Sequence, residues 1–252
     1  AAADPALGLN RMADEGGTPD GGIPALAAHL TGMEAPRPAC VACGALLPPV
    51  IARFSERTYY RCTSCGMTGL YRFRTKVDEY GPAYFEKEYE AQYGRSYLED
   101  FEFIRQMGLQ RLDEIGRKAK AGGKLLDIGC AFGPFLAAAS ERNYLPHGTD
   151  VSTEGIAHVR DNLGFPGVRA TFPDEDPGTK LGVGSFDVVT LWYVIEHFDC
   201  LDEVLSALRR LVVSGGVLGL STPNGAGISA RTSLRRFLER SPGDHYSIWT
   251  PR

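Results

Sequence analysis

Lys124 to Ile128 is a short, mostly apolar run that ends at once on Gly129, and beyond Gly133 apolar residues return at helical spacing, at Phe135, Leu136 and Ala139. An unalternating run of that length suits a buried parallel strand. Glycine directly after it suits a tight turn in which backbone approaches a ligand with no Cβ between them. The next apolar run closes on Asp150. Strand, glycine turn, helix, strand and acid form the layout of a nucleoside-binding α/β fold, whose strand-tip acid accepts hydrogen bonds from ribose hydroxyls. A dinucleotide is not the ligand this spacing predicts: counted from Gly129, the second and third glycines of G-x-G-x-x-G fall on Ala131 and Pro134.

Downstream, Ser185 to Leu191 is a second candidate central strand, and it leads into Trp192-Tyr193-Val194-Ile195-Glu196-His197-Phe198. Leu201, Val204, Leu205, Leu208 and Leu211 then recur at helical spacing, with Gly215-Gly216 as the expected helix stop and Val217 to Leu220 as a further strand. The glycine turn resembles motif I of the class I S-adenosylmethionine-dependent methyltransferases, whose acid-x-Gly-x-Gly-x-Gly pattern falls on Asp127, Gly129, Ala131 and Gly133. Ala131 departs from it at the middle glycine. The Phe-Asp strand and the Glu-His pair resemble the fourth-strand segment of the same family, so the likeness covers 122–252. It implies an α/β, Rossmann-like sheet that binds S-adenosylmethionine. By the resemblance, Asp127, Gly129, Cys130, Ala131 and Gly133 meet the methionine end of the cofactor and Asp150 with Val151 the ribose. Trp192 joins the same cofactor set, and Phe172, after a strand expected over Val168 to Thr171, supplies a ring for adenine. The bland alternative is an α/β domain that uses the turn for packing alone.

Cys40-Val41-Ala42-Cys43 and Cys62-Thr63-Ser64-Cys65 are two Cys-x-x-Cys knuckles, each followed by glycine and separated by one hairpin's length of chain. Such spacing delivers four thiolates to a tetrahedral, structural Zn²⁺, and strands over 50–54 and 58–61 make the module a zinc ribbon. Two disulfides or a redox pair are the alternatives. A module this small buries little core, so metal coordination would supply its folding free energy. Cys130 and Cys200 read as ordinary buried thiols. Unpaired cysteines beside a thiolate site suit the cytoplasm, and neither a membrane-spanning run nor a signal peptide is visible.

The expected organisation is disorder over 1–36, with a short helix possible at 22–30, then a zinc ribbon over 37–75, a helical connector over 76–120 and the cofactor domain over 121–252. In the connector, Tyr80, Tyr84, Phe85, Tyr89, Tyr93, Tyr97 and Phe101 recur at one helix face. They pack on the α/β core or form a lid over the cofactor. A second helix over 104–119 would follow.

His197 is the first candidate for general base, with Glu196 orienting it or binding substrate. The competing reading makes His197 a helix-start residue bonded to backbone. A Glu-x-x-Glu-His run has been linked to a metal in the related ubiquinone-pathway O-methyltransferases, and Tyr193 replaces the first of those acids here. His245, in Asp244-His245-Tyr246, resembles a Pro-x-His-aromatic segment that reaches the substrate pocket in small-molecule methyltransferases. Arg231, Arg235, Arg236 and Arg240, expected on one helix, are either a solvated face or an attractor of an anionic substrate.

A ribbon ahead of this core looks like the sugar methyltransferases of antibiotic and surface-polysaccharide pathways, and less closely like a ribosomal RNA methyltransferase. The net charge of −4 disfavours nucleic acid and favours a small-molecule or glycan acceptor. A non-catalytic protein that senses cofactor and binds a partner is the third reading. No strand is expected after Leu220, which leaves the fifth strand an open edge for a continuation of the chain or another subunit to cover.

Overall fold

The computed structural model describes residues 38–71, 89–91, 94–119 and 121–251. The expectations for 1–37 and those for Tyr80, Tyr84, Phe85 and Tyr93 lie outside the described residues. Pro38–Arg252 is one compact unit built on two sheets.

The first sheet is an antiparallel meander of β1 (Val50–Arg53), β2 (Thr58–Arg61) and β3 (Thr68–Leu70). Tyr60 and Tyr71 fill its centre with ring centroids 4.7 Å apart, and the Tyr60 hydroxyl accepts the Val41 N–H at 2.8 Å. Any Cβ at residue 69 would collide with the Tyr60 ring, so glycine is required there. The sheet has a fourth member that the sequence did not suggest. β9 (Ser247–Ile248) pairs with β3, Thr68 opposite Ile248 and Gly69 opposite Ser247. A strand does follow Leu220, therefore, but it joins the ribbon.

The second sheet is parallel, in the order β6-β5-β4-β7-β8: β4 (Lys124–Ile128), β5 (Leu145–Asp150), β6 (Gly167–Arg169), β7 (Phe186–Trp192) and β8 (Val212–Ser221). Adjacent residues of one strand point to opposite faces, and here both faces are covered. Leu125 and Val188 pack with α1 (Phe101–Ile115), α2 (Pro134–Glu141) and α3 (Thr153–Asp161); Leu126 and Val189 pack with α5 (Leu201–Leu211). A short α4 (Pro177–Lys180) precedes β7. This is the Rossmann-like arrangement that the resemblance implied. The chain runs outward from β4 to β5 and β6, then returns to place β7 on the other side of β4. That reversal opens a crevice at the carboxyl ends of β4 and β7, where ligands of such sheets bind.

Several boundaries differ from expectation. Gly215-Gly216 does not stop the helix: α5 ends at Leu211, β8 starts at Val212, and the glycines form a bulge between the pairs Phe186–Val212 and Val188–Val217. Gly215 has φ +78°, and a Cβ at Gly216 would come 2.9 Å from the Asp187 carbonyl oxygen. The arginine-bearing helix is two helices, α6 (Ile228–Thr232) and α7 (Leu234–Arg240), because Ser233 leaves the helical region and caps α7 by accepting the Arg236 N–H. The aromatic stripe does not form one helix either. Gly94 has φ +72°, and Tyr97 lies in a turn before α1, which runs Phe101–Ile115 instead of 104–119. Among the described residues β8 pairs only with β7 and forms the sheet edge, with Leu218 and Leu220 exposed. No helix of the described residues is long and apolar enough to cross a membrane.

Candidate active site

At the carboxyl end of β4 the chain makes a left-handed loop. Gly129, Ala131 and Gly133 have φ of +75°, +47° and +81°. The N–H groups of Gly129 and Cys130 reach the Thr149 carbonyl, at 2.8 and 3.1 Å, and Gly133 hands the chain to Pro134 at the start of α2. A Cβ on Gly129 would overlap Val194, and one on Gly133 would lie 2.9 Å from Val159 and Leu163. Ala131, the departure from the glycine pattern, thus occupies a conformation that disfavours any Cβ.

Asp150 clamps this loop. One carboxylate oxygen accepts the Ala131 N–H and the other the Ser152 N–H, each at 2.8 Å. Burial pushes its carboxyl upward, and these backbone donors oppose the rise. Asp127 is buried below the loop and accepts the Thr190 hydroxyl at 2.6 Å; burial pushes it up to about 7, against Thr190 and Arg111. The Cys130 thiol is driven well above its ordinary value by burial and by the two acids, which suits a neutral, buried group.

Tyr97 stands over the loop. Its ring lies 6.0 Å from Phe132 and 5.0 Å from Tyr89, and Asp100 fixes the turn by accepting the Tyr89 hydroxyl at 2.8 Å and pairing with Arg95 at 2.9 Å. Burial first, then the nearby Asp127, Cys130 and Asp150, hold its phenol protonated. Val151 is adjacent and exposed. Trp192 and Phe172 are engaged on opposite faces of the sheet. Trp192 lies between Phe135, at 5.0 Å, and the Arg111 guanidinium, at 4.5 Å, whereas Phe172 meets Phe198 at 5.9 Å.

Beyond β7, Val194 backs Gly129 and a 3₁₀ turn, Ile195–His197, presents the Glu-His pair. His197 Nδ1 lies 3.0 Å from an Asp244 carboxylate oxygen, and the His245 ring meets His197 edge-on at 4.7 Å. Burial disfavours the charged His197 ring, but the Asp244 carboxylate outweighs it and the pKa is raised. His245 is pushed down to about 4 by burial, then by His197. Glu196 is fully buried; neither carboxylate oxygen has a hydrogen bond of good geometry, and burial pushes its carboxyl up. Its backbone carbonyl accepts the Tyr246 N–H at 2.7 Å, which draws the Asp244–Ile248 segment against the sheet. Donor atoms of Glu196, His197 and His245 fall within 4.8 Å of one another, a compact imidazole-carboxylate group. Tyr193, in place of the first acid of the metal-linked run, is exposed at φ +59° beside Arg111 and adds no ligand. Asp244 escaped sequence reasoning as the partner of His197, because only the fold joins them.

In the ribbon, all four cysteine sulfurs converge within 4.8 Å, with Cys40–Cys65 and Cys43–Cys62 each at 3.6 Å. Zn–S bonds of about 2.3 Å in a tetrahedron require sulfurs roughly 3.8 Å apart, whereas a disulfide requires about 2 Å. The donor set therefore fits a zinc site of four thiolates. The knuckles have matching backbone geometry: Gly44 and Gly66 have φ +68° and +80° and donate to the Cys40 and Cys62 carbonyls at 2.9 Å. Backbone N–H groups, that of Cys65 first, lower Cys62 to about 6, whereas burial pushes Cys65 up to about 12.

A family model described as a methyltransferase domain matches residues 98–252. The ubiquinone biosynthesis O-methyltransferase of Caulobacter sp. (strain K31) is 28% identical over 153 residues, 59% of this chain and 58% of that protein. Its namesake from Pseudomonas aeruginosa (strain LESB58) is 34% identical over 111 residues, 43% of this chain and 47% of that one. The chain spans about half the length of these curated relatives. Among solved structures, a SAM-dependent methyltransferase from Archaeoglobus fulgidus superposes with TM-score 0.48 at 20% identity, covering 66% of this chain and 68% of the other. CalS10, an amino pentose methyltransferase from Micromonospora echinaspora, does so with TM-score 0.40 at 23% identity, covering 55% of each.

Proposed function

Because the chain belongs to the family of methyltransferase domains, we propose that it transfers the methyl group of S-adenosylmethionine to a small-molecule or glycan acceptor, with His197 as general base. The sulfonium supplies a methyl group that is already activated, so the protein has to align two reactants and remove a proton. One observation carries this reading: a left-handed glycine loop clamped by Asp150 and an Asp244-held His197 share the carboxyl edge of one sheet.

In this reading Gly129 to Gly133 lie against the methionine end, and Asp150, whose oxygens each keep a lone pair beyond the backbone bonds, takes the ribose hydroxyls. Tyr97 closes the loop from above. Asp244 on Nδ1 orients the His197 ring and leaves Nε2 to take the acceptor's proton, while His245, neutral near pH 7, packs against it. The relatives' name supports an oxygen nucleophile. The net charge of −4 argues against an RNA acceptor. The four cysteines hold a structural Zn²⁺ that keeps the ribbon folded against this edge.

Calorimetric titration with S-adenosylmethionine and with NAD tests the reading, on the wild type and on Asp150→Ala. S-adenosylmethionine alone is expected to bind, and the variant to lose roughly a hundredfold in affinity, since hydrogen bonds to a charged group are each worth about 1.5–3 kcal/mol. Preference for NAD, or no binding of either, would overturn it. Tight cofactor binding with no turnover on any candidate acceptor, and indifference to His197→Ala, would favour a sensing role instead.

A further inference from the structure

The turn between β1 and β2 and the helix α7 border a solvent-open groove of about 430 Å³ that is lined by neither the glycine loop nor the His197 cluster. Three arginines line it: Arg53 and Arg57 from the turn and Arg235 from α7. The Arg235 guanidinium lies over the Phe54 ring, 5.0 Å from its centroid, which holds the charge at the groove wall. Glu56 and Glu239 also line the space, yet none of the three arginines forms an ion pair with a described residue. One terminal nitrogen of Arg57 is buried and lacks any hydrogen-bond acceptor. A charged donor left unmatched in the interior is costly, and native proteins rarely leave one without a reason.

The location gives the groove a purpose. Arg57 lies close enough to His245 for its charge to help hold that imidazole neutral, and His245 touches His197. Geometry ties the two together through β9: Tyr59, two residues from Arg57, and Leu238 of α7 pack on Ile248, three residues beyond His245, so the groove lies on the ribbon side of the segment that carries His245. A carboxylate can satisfy one guanidinium fork. Three guanidiniums call for more acceptor oxygens, and a phosphoryl or diphosphoryl group supplies them with enough charge to outweigh the two glutamates.

We propose that Arg53, Arg57 and Arg235 form a subsite for a phosphate or diphosphate group carried by the methyl acceptor. The assignment to the acceptor rests on methyl transfer at His197; the anion site itself does not. Recognition of the charged group would position the remainder of the molecule toward His197, and the ribbon would then be a substrate-binding element as well as a support.

The test is calorimetric titration of the zinc-loaded protein with inorganic pyrophosphate, inorganic phosphate and a nucleoside diphosphate, at low and high salt. Pyrophosphate is expected to bind at one site, more weakly at high salt, and to lose roughly tenfold or more in affinity in Arg57→Gln and in Arg235→Gln, with S-adenosylmethionine affinity unchanged in both. Tighter binding of the nucleoside diphosphate than of pyrophosphate would assign the diphosphate to a nucleotide-linked acceptor; equal binding would assign it to another carrier. Should Arg57→Gln fail to fold, judged by zinc content and circular dichroism, Arg53→Gln removes an exposed guanidinium from the same groove. Absence of binding by all three anions at millimolar concentration, or binding equal in wild type and variants, would overturn the proposal. A protein that binds pyrophosphate but not S-adenosylmethionine would refute methyl transfer and leave the anion site standing; the reverse pattern removes the subsite alone.

Discussion

On the proposed zinc reading, removing the metal from the four-cysteine site should loosen the Asp244–Ile248 segment and spare the glycine loop. Zinc supplies on the order of 10–16 kcal/mol to the folding of such modules, so its removal unfolds the ribbon. β9 then loses its partner, because Thr68 and Gly69 of β3 form its ladder and the Leu70 N–H bonds the Tyr246 carbonyl at 3.0 Å. Ile248, buried with Ala52, Tyr59 and Leu238, loses the first two of these neighbours, which belong to the ribbon, as well. Backbone hydrogen bonds are worth about 0.5–1.5 kcal/mol each and a fully buried isoleucine about 1.5–3 kcal/mol, which together hold the segment by about 4 kcal/mol. At about 1.4 kcal/mol per factor of ten, amides of 244–248 should exchange up to roughly a thousandfold faster in the metal-free protein. Amides of 125–150 should keep their protection, and S-adenosylmethionine should bind within roughly twofold of its normal affinity, since Asp150 and the glycine loop make their bonds within the parallel sheet. Hydrogen exchange read by mass spectrometry, with and without chelator and in Cys62→Ser, measures both regions. Unchanged protection over 244–248, or equal loss in both regions, would refute the coupling.

Ala131→Gly relieves the left-handed φ of +47° and should stabilise the protein by about 1 kcal/mol, read as a higher denaturant midpoint; an unchanged or lower midpoint refutes strain at that position. Asp244→Asn should lower the His197 pKa, seen by NMR titration of the ring. The sign follows from the raised folded value: the pair's stabilisation is complete below the ordinary pKa of about 6.5, fades as pH rises through the folded value, and should vanish in the variant. His245 acts in the opposite direction. With its folded value near 4, the unfolded chain binds the extra proton between about pH 6.5 and 4, so stability should fall by up to about 3 kcal/mol as pH drops through that window. His245→Gln should flatten that slope in denaturant melts, and an unaltered slope assigns it elsewhere.

The glycine loop was legible because its signals are local: Ile128 ends a strand, Gly129 and Gly133 turn, and Pro134 begins a helix, all within a few residues. The two Cys-x-x-Cys knuckles were legible for the same reason. Gly215-Gly216 misled because a glycine pair after an amphipathic helix serves equally as a stop or as a bulge, and only pairing with β7 decides. The aromatic stripe had helical spacing, but Gly94 and the Tyr89–Asp100 bond select a turn that drops Tyr97 over the loop. Ser247-Ile248 is too short to show a period of two, and its strand exists only because β3 offers an edge. The His197–Asp244 contact and the Arg57 groove join segments distant in sequence, and no local pattern announces either.

The pairing of β3 with β9 also sets an order of assembly during synthesis. Three ribbon strands and all four cysteines leave the ribosome early, whereas the fourth strand is made only after every strand of the parallel sheet. Closing a loop from Thr68 to Ile248 is a late, non-local event, which topology makes slow. A nascent chain arrested before Ser247 would already have the four cysteines and the glycine loop, but His245 would lack the strand that follows it on the edge of β3. The contact between His197 and Asp244 therefore forms only after the glycine loop and all four cysteines have been made.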